Sequence, residues 1–97
     1  MHYLKVKTLG DKTVLDFYFE LHDDYMEQRK IEIANGTILG FACKEFSFRG
    51  THLAKTPLLS MEELVKLSDT EVSIIDRETF ESLWNEVNTV VGKVNKE

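Results

Sequence analysis

The sequence predicts one α+β domain, in which a four-stranded antiparallel meander sheet is followed by two helices packed on one face. Three observations predict this fold. The apolar period is two before residue 60 and helical after it, short turn signals separate the strands, and 97 residues suffice for one core but not two. We expect an antiparallel sheet over residues 1–44, a long connection over 45–59, a helical part over 60–91 and a frayed tail over 92–97.

The strand pattern is clearest over residues 13–22, where apolar side chains alternate with polar or amphipathic ones, as in a half-buried strand. The core side carries Leu15, Phe17, Phe19 and Leu21. Residues 3–9 predict the preceding strand, and the segment 10–12 is short enough for a hairpin turn. Asn35-Gly36 tolerates positive φ and therefore predicts a second hairpin, between residues 26–34 and 37–44.

Two helix starts carry the same capping chemistry. Ser60 with Glu63 forms a capping-box pair, and Asp76 is a suitable cap for the second helix. Hydrophobic-staple pairs flank the two starts: Leu59 with Leu64, and Ile75 with Phe80. An apolar stripe at helical spacing predicts that the second helix packs on the sheet: Phe80, Leu83, Trp84, Val87 and Val91. Residues 72–75 are open to two interpretations, a short strand or an extended link.

Charge and targeting signals limit the possible partners. Residues 1–59 hold eight acids and eight Lys/Arg, whereas residues 60–97 hold nine acids and four Lys/Arg, which accounts for the net charge of −5. An acidic surface disfavours nucleic acids and lipid headgroups and favours basic proteins, although such charge also serves solubility alone. The lack of a membrane span or secretion signal and the single Cys43 predict a cytoplasmic protein without disulfides.

Candidate catalytic groups are few. His22, Asp23 and Asp24 follow a strand, and together with the distant His52 they could serve a small metal- or phosphate-dependent enzyme. Two acids after a strand are more often a solvated turn. Cys43 alternates with apolar residues and is more often a small buried side chain than a nucleophile. No metal-ligand spacing occurs, so we expect no metal site and no cofactor.

A series of short segments, taken in order, resembles a family of small bacterial domains of unknown function along almost the full chain. The segments are Tyr3-Leu4-Lys5-Val6, Glu20-Leu21, Arg29-Lys30-Ile31-Glu32-Ile33, Asn35-Gly36, Gly40-Phe41-Ala42, Gly50-Thr51-His52-Leu53, Pro57-Leu58, Glu62-Glu63 and Phe80-Glu81-Ser82-Leu83-Trp84. The chain departs from the family in its short turn at residues 10–12 and at Arg49, where the family has glycine. The resemblance implies no catalytic residues. Such proteins look like the small cytosolic partners encoded near secreted bacterial toxins, which implies an immunity role.

The favoured hypothesis is therefore a protein-binding module: an immunity protein that occludes the active site of a basic toxin domain, with a nuclease as the preferred partner. Acids and one aromatic residue form the predicted contacts, on two elements that need not share a face: Tyr18, Glu20, Asp23 and Asp24 on the sheet, and Glu62, Glu63, Glu78 and Glu81 on the helices. Acids in a first helical turn also stabilise the helix without any partner. Two alternatives stay open, the small enzyme and a homodimer formed through a strand edge or through the Trp84 helix.

Overall fold

The structure is a computed structural model that describes residues 1–58 and 60–95, with side chains up to residue 89. These residues form six strands and two helices in chain order. The strands are β1 (His2–Leu9), β2 (Val14–Leu21), β3 (Glu27–Ala34), β4 (Thr37–Cys43), β5 (Ser47–Phe48) and β6 (Thr70–Ile74), and the helices are α1 (Met61–Leu64) and α2 (Arg77–Asn95). Neither helix, over this part of the chain, has the length and apolar character of a membrane span.

One antiparallel sheet contains all six of these strands in the order β5-β4-β3-β2-β1-β6. The predicted meander forms its four central strands, but the prediction of a four-stranded sheet is wrong. The sequence does not predict β5 because two residues are too few to show an alternation of apolar and polar side chains. β6 includes most of residues 72–75, for which the sequence allows a short strand or an extended link. The segment is a strand because it pairs with β1, which lies more than sixty residues earlier in the chain.

The turns between the central strands follow from local chemistry. The amide of Gly10 donates to the carbonyl of Thr13 at 2.9 Å and closes the first hairpin. Asn35 and Gly36 have φ of 48° and 82°, the pair of left-handed residues expected in a tight two-residue hairpin. Asn35 Oδ1 also accepts a hydrogen bond from the amide of Val14 at 2.9 Å, which ties this hairpin to the start of β2.

The two faces of the sheet carry separate cores. On one face, hereafter the helix face, Ile31 and Phe41 pack with Phe80, Trp84 and Val87 of α2. On the opposite face, hereafter the loop face, a second cluster includes the following residues: Leu4, Val6, Phe19, Leu21 and Leu64 of α1. The register confirms that these are opposite sides, because Tyr18 lies across from Ile31 while Phe19, its neighbour in β2, lies across from Lys30.

The prediction that both helices pack on one face is therefore wrong. The connection after β5 crosses the loop face, where Leu58 joins the second cluster, and α1 begins on that side. β6 then runs along the sheet edge and returns the chain, so that α2 reaches the helix face. An edge strand between two helices allows them to lie on opposite faces.

The connection after β5 contacts the loop face of the sheet closely at Gly40 of β4. Gly40 lies under Thr51, and a Cβ at position 40 would overlap Thr51 Oγ1 and come within 2.6 Å of the carbonyl oxygen of Phe48. Thr51 Oγ1 in turn donates to Glu32 Oε1 at 3.3 Å. Only glycine allows the two segments to approach this closely. Arg49, just before this contact, has a positive φ of 57°, a conformation that costs glycine least.

The predicted helix starts are confirmed where they are described. Ser60 Oγ accepts from the amide of Glu63 at 3.3 Å and donates to its carboxylate at 3.1 Å, and Asp76 Oδ1 accepts from the amide of Thr79 at 2.7 Å. The staple residue Leu59 lies outside the described residues. α2 continues to Asn95, so its backbone enters the segment predicted to fray, and residues 96–97 of that segment lie outside the described residues.

Candidate functional site

Two of the predicted contact acids lie in an internal cluster on the helix face, hereafter the Arg29 cluster: Tyr3, Glu20, Arg29 and Glu81. Glu20 is only 8% exposed. The guanidinium of Arg29 donates to both carboxylate oxygens of Glu20 at 2.7 Å, and Tyr3 donates its hydroxyl to Glu20 Oε2 at 3.0 Å. Arg29 also forms an ion pair with Glu81 of α2 at 2.6 Å. The cluster therefore joins β1, β2, β3 and α2.

Aromatic rings complete the surroundings of Arg29. Its guanidinium carbon lies 4.9 Å from the ring centroid of Phe80 and 5.1 Å from that of Trp84. The hydrogen bonds from Arg29 lower the pKa of Glu20, and those to Glu20 raise the pKa of Arg29. Both groups stay charged at neutral pH. This geometry identifies Glu20 and Glu81 as groups that hold α2 on the sheet, which leaves them little capacity for a partner.

Tyr18 also lies on the helix face, two residues before Glu20 on β2. It is half-buried, and Lys5 Nζ lies 5.5 Å from its ring centroid.

The remaining predicted acids converge on one end of the molecule. A cavity of 260 Å³, hereafter the end cavity, opens where β1 begins, beside the turn after β2 and beside the starts of both helices. Its apolar and aromatic wall includes Leu4, Tyr25, Met61, Ile74 and Ile75. The polar part of its lining comes from His2, Tyr3, Asp76 and Arg77. The volume suits one large side chain.

The remaining predicted acids, hereafter the rim, lie within two residues of a cavity-wall residue along the chain, and none of them lines the cavity itself. Glu62 follows Met61, and Glu78 follows Arg77. Asp24 precedes Tyr25, whose φ of 68° marks the tight turn in which Asp24 Oδ1 accepts from the amide of Met26 at 3.0 Å. Sheet and helix acids therefore share one end of the molecule.

Three other carboxylates at this end already have partners within the chain. Asp23 Oδ1 lies 3.0 Å from the amino group of Met1, which is itself in the cavity wall, and that group lowers the pKa of Asp23. Asp76 and Glu63 cap the helices, and the hydrogen bond from Thr79 lowers the pKa of Asp76. All three are exposed. They contribute negative potential to the rim even though their hydrogen bonds are internal.

A family model described as a domain of unknown function, DUF6881, matches residues 2–89. The chain belongs to the DUF6881 family. The predicted resemblance to a family of unknown function is thus confirmed, whereas the likeness to immunity proteins stays a prediction. No curated protein and no solved structure gives a significant match. The DUF6881 match includes all residues of the Arg29 cluster and, except for Met1, all residues that line the end cavity.

The residues of the enzyme hypothesis occupy different settings in this DUF6881 chain. His22 and Asp24 line one surface depression, and His52 lines an adjoining one that shares Lys44, Leu53 and Lys55 with it. Asp23 instead bonds the amino group of Met1. Among the described residues, no group of three or more His, Cys, Asp or Glu is placed to hold a metal ion.

Cys43 lies in the same depression as His52 and is half-buried. Its thiol donates to Glu45 Oε2 at 3.1 Å, a contact that lowers the pKa of Glu45. This contact joins the thiol to a carboxylate rather than to an imidazole, so the histidine that a nucleophile pair would need is not its partner.

Sequence reasoning missed the Arg29 cluster and the end cavity. A signal for the first existed, because the predicted meander makes β2 and β3 neighbours and would allow Glu20 to face Arg29. The bulge after Glu20, which leaves Gln28 without a direct partner, fixes that pairing and is not encoded in the hydrophobic alternation. The cavity had no sequence signal, since its wall comes from four distant segments.

Proposed function

We propose that the chain is a protein-binding module of the immunity type, which uses the end cavity and its acidic rim to bind a basic toxin domain and occlude that domain's active site. One observation supports this proposal: a side-chain-sized cavity with a largely apolar wall, lined by Asp76, lies at the end of the molecule that also carries the exposed acids of the sheet turn and of both helix starts. An apolar pocket with a charged rim provides an anchor and an orientation for a protein partner.

The charge of the rim defines the chemistry of the partner. Glu62, Glu78 and Asp24 are exposed, and Arg77 is the cationic side chain in the cavity wall. A segment with one large apolar or aromatic residue flanked by Lys or Arg would fill the cavity and pair with the rim. Toxin nucleases suit this site because they need basic surfaces to hold phosphates, and an acidic protein that covers such a surface blocks the substrate.

The alternative of a small enzyme has less support from the geometry. Three of its four residues line two adjoining surface depressions, Asp23 bonds the amino group of Met1, and the end cavity itself contains one imidazole, that of His2. Within the part of the chain that the structure describes, no group of three or more His, Cys, Asp or Glu is placed to hold a metal ion. A binding role needs only the shape and the potential described above.

The proposal is tested by expressing the chain with the toxin encoded beside its gene, and by measuring cell survival and the association rate of the purified pair. We expect protection, and we expect Glu62→Lys with Glu78→Lys to slow association by about tenfold to a hundredfold at low salt. The matched control is Glu86→Lys with Asp11→Lys, which makes the same charge change at exposed positions. Glu86 lies eight residues, or about 12 Å, along α2 from Glu78.

Failure to bind or protect would overturn the immunity role. Binding that the rim variant and the control weaken equally would show that net charge, and not the end cavity, attracts the partner.

A further inference from the structure

β6 forms one end of the sheet and presents an open edge. β1 pairs with one side of β6, and within residues 1–58 and 60–95 no strand pairs with its other side. The opposite end of the sheet is β5, which is only two residues long. Short edge strands protect a sheet from further pairing, whereas the five residues of β6 form a usable template.

The hydrogen bonds around β6 show which backbone groups face outward. The amide of Ile75 donates to the carbonyl of Tyr3 at 3.0 Å, and the amide of Leu9 donates to the carbonyl of Asp69 at 2.8 Å. Bonded and non-bonded pairs alternate along an antiparallel ladder. Residues 71 and 73 therefore bond β1, and the N–H and C=O groups of residues 70, 72 and 74 point away from it.

Apolar side chains accompany this row of backbone groups. Ile74 is 74% exposed and Val72 is half-buried, and both lie on the loop face because they are opposite Leu4 and Val6. The segment between α1 and β6 adds the exposed Val65 and Leu67. Pairing along this edge would remove apolar surface from water as well as satisfy the backbone.

We propose that a second copy of this chain pairs antiparallel with the outer edge of β6, about a two-fold axis at Val72, and extends the sheet across both protomers. In this register Val72 lies opposite its own copy and Thr70 lies opposite Ile74 of the partner. All three outward-facing residues then lie in bonded pairs, which gives about six backbone hydrogen bonds. A two-fold interface requires such a self-complementary strand.

Charge selects the same register. With the axis at Val72, Glu71 lies opposite the uncharged Ser73 of the partner, and Lys7 lies beside Glu71 within its own protomer. Moving the axis to Glu71 would place two carboxylates directly opposite each other, which is unfavourable. Moving it to Ser73 would leave Thr70 without a partner in β6. A second copy therefore matches this edge in length, charge and apolar face.

The test is sedimentation equilibrium of the full chain and of two variants, Ser73→Glu and Ser73→Lys. The dimer would place position 73 of each copy opposite Glu71 of the other, so we expect Ser73→Glu to raise the dimer dissociation constant about tenfold and Ser73→Lys to leave it unchanged or lower it. Within one protomer Ser73 lies opposite Lys5, so the effects on the stability of the monomer run in the opposite direction. This reversal separates pairing between copies from folding.

Hydrogen exchange provides a second measurement. The amides of Thr70, Val72 and Ile74 should exchange rapidly in dilute solution and more slowly as the protein concentration rises. A monomer at every concentration, equal effects of the two variants, or a dimer in which these three amides stay unprotected would overturn the proposal. The last result would indicate α2 as the interface.

Discussion

The two faces of the sheet hold their covering segments in different ways. On the helix face, α2 is attached through the Arg29 cluster and through the rings of Phe80 and Trp84. On the loop face the described part of the connection, residues 49–58, has no helix or strand, and carboxylates of the sheet bind it: the amide of Ala54 donates to Glu27 Oε1 at 2.9 Å. Glu27, which is 7% exposed, also pairs with Lys30 at 3.0 Å.

This difference shows that acids in the sequence serve several purposes. A helix satisfies its own backbone, so on the helix face the buried carboxylates bind a cationic side chain. An irregular segment has spare amides, so on the loop face the buried Glu27 binds a backbone amide in addition to Lys30, and the half-buried Glu32 accepts from a threonine hydroxyl. The exposed acids, which include those at the helix starts, remain for a partner.

The substitution with the largest expected effect on stability is Arg29→Ala, on the helix face. Removing the guanidinium leaves Glu20 buried without its charged partner and removes the bond to Glu81, so we expect a loss of about 3–5 kcal/mol in the free energy of unfolding. Urea unfolding followed by the fluorescence of Trp84 measures it. Lys12→Ala, at an exposed turn position, is the control and should change stability by less than about 0.5 kcal/mol. A loss below about 1 kcal/mol for Arg29→Ala would show that the cluster does not hold α2.

A substitution of intermediate effect, Gly40→Ala, probes the loop face. The added Cβ would displace Thr51 and the carbonyl of Phe48, so we expect a loss of about 1–3 kcal/mol, measured by the same unfolding experiment. Gly10→Ala is a milder comparison, since its Cβ would meet only the carbonyl of Thr13 at 3.1 Å. Equal costs at positions 40 and 10 would contradict the close approach of the connection to β4.

The smallest expected effect is a pH dependence specific to the helix face. The hydrogen bonds from Arg29 lower the pKa of Glu20 below its ordinary value of 4.5. At pH values between the pKa of Glu20 in the folded state and its pKa in the unfolded state, the unfolded state therefore binds more protons. The free energy of unfolding rises with pH across that interval. The contribution is fully present above this ordinary pKa, which the unfolded state has, and is lost as the pH falls through the pKa of the folded state.

Urea midpoints measured from about pH 3 to pH 7 test this expectation. Glu20→Gln should lower stability at pH 7 and flatten the acid part of the profile. An unchanged acid slope in Glu20→Gln would mean that other carboxylates produce it.

Local patterns predicted a large part of this fold. Alternation placed β1 to β4 within one residue at each end, Asn35-Gly36 placed the second hairpin, and Ser60 and Asp76 placed the helix starts. Each of these features depends on neighbours within a few residues. The sites were harder to predict: none of the eight predicted contact residues lines the end cavity, although five of them are close to its wall along the chain, while Glu20 and Glu81 lie in the Arg29 cluster and Tyr18 lies beside Lys5.

The amino-acid sequence by itself determined the strands of the meander, the turns and caps between elements, and the excess of acid in the second part of the chain. Only the tertiary structure decided that β6 joins β1, that α1 and α2 lie on opposite faces, and which carboxylates are internal. The physical reason is the separation in sequence between the residues that interact. Alternation and capping act between near neighbours, whereas strand pairing, burial of charge and the shape of the end cavity depend on segments brought together from distant parts of the chain.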